Sequence, residues 1–258
     1  MQEKKKISEG KTKIIWELGE GTVEIESKPD ITAGDGARRD IIRGKEVLAN
    51  NTTCNVFELL SRKRIRTHFL KRRSKNSFSA IRYEMIPLEV VIRSIATGSY
   101  LKRNPDVSDG TVFGTLVVEF FYKDDILHDP YIVIEEGKWN LYNPKEPVSE
   151  RSYITSIDSL CSTQEVEYIR KTAEKVFLVL EKAFKKLGIV LWDLKIEFGK
   201  TLYGEIVVAD VIDNDSWRIK TIEGEQLDKQ LYRDGKDLKT VKNKYEIVSE
   251  LTDKFRDF

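Results

Sequence analysis

One segment constrains the fold more than any other. Over 166–187 the apolar residues Val166, Ile169, Ala173, Val176, Phe177, Leu180, Ala183, Phe184 and Leu187 recur three or four apart, or side by side on one face. At 3.6 residues per turn they gather into a single stripe, so the segment reads as an amphipathic helix whose apolar face must be covered. Its ends are also marked. Ser162 and Glu165 have the spacing of a capping box, in which a hydroxyl and a carboxylate each satisfy a free backbone N–H, and Gly188 stands where a helix stops. Directly beyond, 189–198 and 205–212 read as a strand pair joined by a loop over 199–204. A long one-faced helix beside an apolar hairpin calls for a helix-on-sheet layer.

The rest of the chain fits that frame. Residues 13–18 and 22–27 form a hairpin across Gly19-Glu20-Gly21, and 45–60 has a weak helical period through Val47, Cys54, Phe57 and Leu60. Two β-rich runs, 78–84 and 88–95, meet near Pro87, and 131–153, with its Pro, Trp and Tyr residues, reads as a long irregular connection. A last helix carries Val241, Tyr245, Val248 and Leu251 on one stripe. Strands first and helices later, with no regular βαβ alternation, give an α+β fold; we expect two lobes with ligands between them.

Charge narrows the function classes. Among 258 residues, 44 Lys and Arg against 43 Asp and Glu leave a formal charge of +1, so no global field recruits nucleic acid or an anionic membrane. Any anionic ligand must be held by local clusters. The two cysteines, Cys54 and Cys161, have no C-x-x-C spacing, which supports neither a disulfide framework nor a structural zinc. No apolar h-region follows Met1, and no run reaches the ~18–20 apolar residues of a membrane span, so a reduced cytoplasmic protein is the expectation.

Chemistry concentrates on a few segments. In 191–198 strand alternation sends Trp192, Leu194, Ile196 and Phe198 to one side and Asp193, Lys195 and Glu197 to the other. A solvated surface strand has the same pattern. The return strand, however, is an apolar run interrupted by Asp210, and a carboxylate there is costly unless paired or bound to metal. With closure near Phe198 and Glu205, Asp210 falls roughly across from Asp193, on the Glu197 face. Carboxylates on adjacent strands beside a lysine are what a Mg²⁺-nucleotide site requires. Lys11 and Lys13 in Gly10-Lys11-Thr12-Lys13 lack P-loop spacing, yet two lysines after a glycine can lie over phosphates. Ala96-Thr97-Gly98-Ser99, after a strand carrying Arg93, is a turn suited to a phosphate monoester or simply a strand-to-helix corner. The loops 123–130, 213–218 and 228–234 are charged clusters that surface solvation explains equally well. Eight Lys and Arg over 62–75 are the best nucleic-acid signal, and a turn between strands explains them more simply. His68 and His128 are too isolated for a histidine metal site, and no G-x-S-x-G suggests a covalent nucleophile.

Read together, these segments resemble the SAICAR synthetases from end to end. The resemblance rests on EGKTK at 9–13, SKPDITAGDGARRD at 27–40, GK at 44–45 and EMIPLEVVIRSIATGSYLKRNP at 84–105. It continues through EFFYKDD at 119–125, DLKIEFG at 193–199, ADVIDNDSWR at 209–218 and DKQLYRD at 228–234. The wording of 96–105 and 210–218 is similar to the animal type, without its fused AIR carboxylase domain. The resemblance implies a two-lobed fold, with approximate lobes 1–85 and 86–258, and ATP in the cleft between them. It implies ligation of L-aspartate to the carboxylate of the purine precursor CAIR, giving SAICAR, ADP and phosphate with Mg²⁺. It also implies a homo-oligomer; a small-molecule kinase with the same Mg-ATP site is the alternative. Carried over residue by residue, Lys11, Lys13 and Lys195 attend the ATP phosphates and Glu84 and Met85 the adenine. Glu197 and Asp210 hold the metal, and Lys195, Glu197, Asp210 and Lys123 form the catalytic group. Arg93, Ser99 and Arg218 bind CAIR, with Asp35, Asp129, Lys229 and Arg233 assigned to CAIR or aspartate. Trp192 stands where the family has a smaller residue, and 135–151 matches no family motif.

Overall fold

The computed structural model describes residues 4–19, 21–34 and 36–258. The N-terminal portion of the chain builds a five-stranded antiparallel sheet from β1 (Lys6–Glu9), β2 (Lys13–Gly19) and β3 (Thr22–Ser27), a two-stranded ribbon from β4 (Asp30–Ala33) and β5 (Arg38–Ile41), then helix α1 (Lys45–Arg62), β6 (Phe69–Arg72) and β7 (Ser77–Ile81). The strand order is β1-β2-β3-β7-β6. Helix α1 turns Val56, Phe57 and Leu60 onto Val23, Ile25 and Phe78, which explains its weak amphipathic period: it is covered on more than one side.

The second sheet holds β8 (Tyr83–Ile95), β9 (Val112–Tyr122), β10 (Tyr131–Glu135), β11 (Lys138–Tyr142), β12 (Tyr153–Ile157), β13 (Ile189–Thr201), β14 (Ile206–Ala209) and β15 (Trp217–Thr221). Its order is β12-β11-β10-β9-β8-β13-β14, with β15 pairing the first half of β13. The same portion of the chain carries four α-helices, α2 (Ser99–Arg103), α3 (Thr163–Lys186), α4 (Gln230–Arg233) and α5 (Leu238–Asp253); α3 packs on this sheet and α5 on α1. The α+β class is as expected. The sheets meet where Thr67 bridges Val208 and the His68 N–H donates to the Val208 carbonyl.

Helix α3 has the limits written in its sequence. The Ser162 hydroxyl accepts from the Glu165 N–H at 3.2 Å, the Glu165 carboxylate accepts from the Ser162 N–H at 2.9 Å, and Gly188 turns the chain at φ 74°. Its stripe, Ile169 to Phe184, lies in the core with Leu191, Leu194 and Ile196 of β13. Burying each of those large side chains contributes about 1.5–3 kcal/mol, far more than propensity alone. In α5, Val241 and Tyr245 close a smaller cluster with Ile31, Ile42 and Tyr232, tying the ribbon to the C-terminal segment.

Four expectations change. Pro87 does not separate one strand from the next; β8 runs through it, because the pairing with β13 skips from Glu89 to Met85 and leaves Pro87, which has no N–H, inside a bulge. Residues 131–153 are not an irregular connection. A hairpin turns at Glu136 and Gly137, both with positive φ (49° and 78°), and β12 adds a further strand. Strand β13 continues to Thr201, so the return strand registers Glu197 against Ala209, and Asp210 follows directly on that last pair rather than lying across from Asp193. Lastly, a bulge between Leu191 and Asp193 opposite β15 shifts the alternation: Leu191 enters the core and Trp192 is expelled, half-buried beneath the Lys220 ammonium at 3.6 Å from the ring centre.

Candidate active site

Strand β13 is the axis of the site. Past the bulge, Asp193, Lys195 and Glu197 alternate onto one face, and Glu89, Val91 and Arg93 of β8 register against Glu197, Lys195 and Asp193 on that same face. Over this face lie the β1–β2 turn with Lys11 and Lys13, the ribbon turn at Gly34 and Gly36, the segment after β9 and the 210–218 turn. They enclose a cleft of about 610 Å³. Lys11, Lys13, Arg93, Ser99, Lys123, Asp129, Lys195, Glu197, Asp210, Arg218, Lys229 and Arg233 all line it. Glu84 and Met85 do not: they pair with Lys200 and Gly199 at the far end of β13, with Glu84 exposed. Asp35 lies outside the described residues.

At one end of the cleft, lysines surround Glu197. Its carboxylate accepts from Lys123 and from Lys195 (3.1 Å), and Lys195 also donates to Glu89. Burial alone would raise the Glu197 pKa, but Lys195, Lys123 and Lys13 outweigh it and hold it at about 2. Burial likewise works against the Lys195 ammonium, and Glu89 and Glu197 reverse that, raising it above the ordinary lysine value. Lys13 forms an ion pair with Asp210. Desolvation lowers Lys13 to about 8, partly opposed by Glu197. Asp210 has φ 63°, a left-handed conformation that a short Asp tolerates, and this aims its carboxylate into the cleft just past the end of β14.

The other end is built on guanidinium groups. Arg93 and Arg218 both donate to Asp193, and Arg93 reaches the Ser99 hydroxyl at 3.4 Å. Gly98 (φ 61°) gives Arg218 its room, since a Cβ there would stand 2.6 Å from the guanidinium. Also on the cleft wall, Asp215 accepts from Lys229 at 2.7 Å and from the Tyr245 hydroxyl. Its neighbour Asp213, buried and facing Asp215, is raised to about 6.

Sequence reasoning missed Glu89 and Asp215. Glu89 had a signal, as a carboxylate on the Arg93 face of an apolar strand; Asp215 had none that set it apart from the loop carboxylates around it. The basic run over 62–75 is partly engaged in structure: Arg62 donates to the Phe255 carbonyl, Arg66 to Glu205, and Arg72 to Glu58, Asn51 and Asn55.

A two-sheet α+β fold around a cleft of lysines, arginines and buried carboxylates defines a nucleotide-using enzyme of small anionic substrates. The SAICAR synthetase family model matches residues 6–251. A phosphoribosylaminoimidazole-succinocarboxamide synthase of Herpetosiphon aurantiacus is 42% identical over 99% of this chain and all of its own length. The multifunctional protein ADE2 of Gallus gallus is 43% identical over 95% of the chain and 57% of its own length. Among solved structures, the synthase of Ehrlichia chaffeensis superposes with a TM-score of 0.82 at 32% identity, covering 96% of this chain and 98% of that one. A Type-2 SAICAR synthetase in complex with ADP gives 0.81 at 31% identity, covering 95% and 96%. The chain belongs to the SAICAR synthetase family. It is an ATP-dependent carbon–nitrogen ligase of purine biosynthesis that joins L-aspartate to the carboxylate of CAIR, and nothing in these likenesses favours the kinase alternative.

Proposed function

We propose that the two ends of the cleft divide the substrates, with ATP phosphates at the lysine end and the CAIR phosphate at the guanidinium end. The observation that carries this reading is the spacing on β13. Asp193 anchors Arg93 and Arg218, Glu197 anchors Lys195 and Lys123, and four residues of strand set the anchors about 13 Å apart. A ribonucleotide held by its phosphate at one end then brings its base carboxylate toward the γ-phosphate at the other.

A carboxylate is a poor electrophile and forms no amide with a free amine unless activated. In this reading a CAIR carboxylate oxygen attacks the γ-phosphorus, ADP leaves, and the aspartate amine attacks the acyl carbon and expels phosphate. Lys11, Lys13 and Lys195 balance the phosphate charge and Lys123 the acyl oxygen as charge develops; such chemistry depends on positioning and fixed charge. Arg93, Ser99 and Arg218 take the CAIR phosphate, while Asp129, Lys229, Arg233 and Asp35 serve CAIR or aspartate. Glu84 and Met85 remain assigned to the adenine, with the chain divided into lobes at 1–85 and 86–258.

The donor set suits Mg²⁺ brought in with the nucleotide. Of the carboxylates that line the cleft, Glu197 and Asp210 are the two assigned to the ion, and among the described residues no group of three or more His, Cys, Asp or Glu forms a cage for it. Mg²⁺ prefers that arrangement, one or two carboxylates completed by water and phosphate oxygens. When bound it supplies charge neutralisation between the phosphates. Two buried free thiols, Cys54 and Cys161, support a cytoplasmic setting. No helix among the described residues is long and apolar enough to cross a membrane. The open edge of β12, with Tyr153 and Ile154 exposed, offers a surface for a homo-oligomer.

The test is ADP release from Mg·ATP and CAIR, with and without L-aspartate. Strict dependence on both, with SAICAR formed one-for-one with ADP, is the expected result. ADP release indifferent to aspartate overturns the coupled reaction.

A further inference from the structure

Behind the guanidinium end, the charges continue into the protein. Arg93 turns Nη1 to Asp193 and its Nε to Glu119 at 2.7 Å, and the second oxygen of Glu119 accepts from Arg103. Arg103 in turn donates to the Pro144 carbonyl at 2.7 Å and packs against two neighbouring rings, 5.1 Å from the centre of Phe121 and 4.6 Å from that of Tyr131, which are 5.5 Å from each other. Arg93, Asp193, Glu119 and Arg103 are each at most 6% exposed. Three guanidinium groups thus alternate with two carboxylates, from Arg218 to Arg103, and the row carries one positive charge in excess.

We propose that Glu119 and Arg103, neither of which lines the cleft, are positioning residues for phosphate binding by Arg93. The inference rests on the reading of the guanidinium end as the CAIR phosphate site. Glu119 clamps the Nε edge of Arg93 and so fixes the plane in which its Nη groups face the cleft. Arg103 shares Glu119, which keeps that carboxylate from belonging wholly to Arg93; without Arg103 the row would carry no excess charge and Arg93 would be neutralised from behind. Buried charges are worth far more than surface ones, and a row left unbalanced by one member is costly. The β10–β12 extension thereby gains a purpose: its segment after Tyr142 and its Tyr131 ring hold Arg103 in place.

The experiment is steady-state kinetics of the whole enzyme with each substrate varied in turn. Arg103→Met raises the KM for CAIR about tenfold, leaves those for ATP and L-aspartate unchanged and keeps kcat within about twofold. Arg103→Gln, which keeps a donor but no charge, gives the same split and serves if the Met variant does not fold. Arg103→Lys, which keeps the charge, restores the CAIR KM to within about threefold of wild type. An unchanged CAIR KM in Arg103→Met and Arg103→Gln, beside a raised one in Arg93→Met, overturns the positioning role alone. An equal rise in all three KM values overturns it in favour of a merely structural role. A CAIR KM indifferent to Arg93→Met overturns both this inference and the site reading beneath it.

Discussion

Gly199 offers the sharpest test of how the two sheets are held together. It pairs with Met85 across the β8–β13 bulge, and its φ lies outside the left-handed region, so an alanine backbone is unstrained there. The obstacle is space. A Cβ at 199 would stand 2.7 Å from Cγ and 2.9 Å from Cε2 of Tyr83, and closer still to Cδ2. The half-buried ring is blocked on one side: it meets His68 edge-on at 5.1 Å between centres, and His68 is itself boxed by Phe57 at 5.1 Å and Phe78 at 5.6 Å. Overpacking costs about 1–3 kcal/mol, and contacts this short to a rigid ring belong in the upper half of that range. Alanine recovers about 0.5–1 kcal/mol by restricting the unfolded chain, so Gly199→Ala is expected to lose about 2 kcal/mol. Urea unfolding at pH 7 measures it as a lower midpoint at constant m. The decisive arm is the double variant. With Tyr83→Ala the ring is gone, the new methyl has room, and Gly199→Ala becomes neutral or stabilising. Additivity of the two changes within about 0.5 kcal/mol would refute the steric reasoning.

Three other outcomes are expected. Asp210→Asn abolishes turnover, by about 10³-fold or more, while the protein stays folded, because Asn also tolerates the left-handed backbone there; unfolding of this variant would return Asp210 to a structural role. His68 is fully buried and its pKa is lowered to about 3 by burial, assisted by Lys13, so the unfolded chain takes up a proton that the fold excludes. Its contribution is present above the ordinary histidine value and is lost as pH falls from 6.5 toward 3. The wild type should therefore lose about 2 kcal/mol through this group between pH 7 and 5, and His68→Leu, compared by urea unfolding at both pH values, should not. Ser162→Ala removes the α3 cap and costs about 1 kcal/mol in the same assay, with kcat unchanged.

How far the sequence carried depended on whether a feature was written locally. Helix α3 was legible to its caps, because its stripe, its capping box and Gly188 all lie within one short segment. The β2–β3 hairpin, α1 and α5 were legible for the same reason. The β10–β11 hairpin was also written locally, in Glu136-Gly137 between alternating runs, but the prolines and aromatics around it have the composition of a loop. Of the site, the residues that the strands bring together were nameable from alternation and from family wording. Glu84 and Met85 rest on that wording alone, and they do not line the cleft.

What escaped was register, and register here is decided by bulges. Alternation along 191–198 puts Trp192 with the core and Asp193 with the charges, yet one extra residue opposite β15 sends both away from the core. Nothing local in Leu-Trp-Asp marks that insertion. It follows from β15 arriving from elsewhere in the chain, carrying Arg218 to meet Asp193. The same is true at Pro87, where the bulge lets β8 set Glu89 against Glu197 and Arg93 against Asp193 while the strand continues to Tyr83. A slip of one residue at either bulge would turn these charges into the core, where each would lack a partner. The ion pairs across β8, β13 and β15 therefore help to select the register, and the arrangement that satisfies them is also the one that lines the cleft.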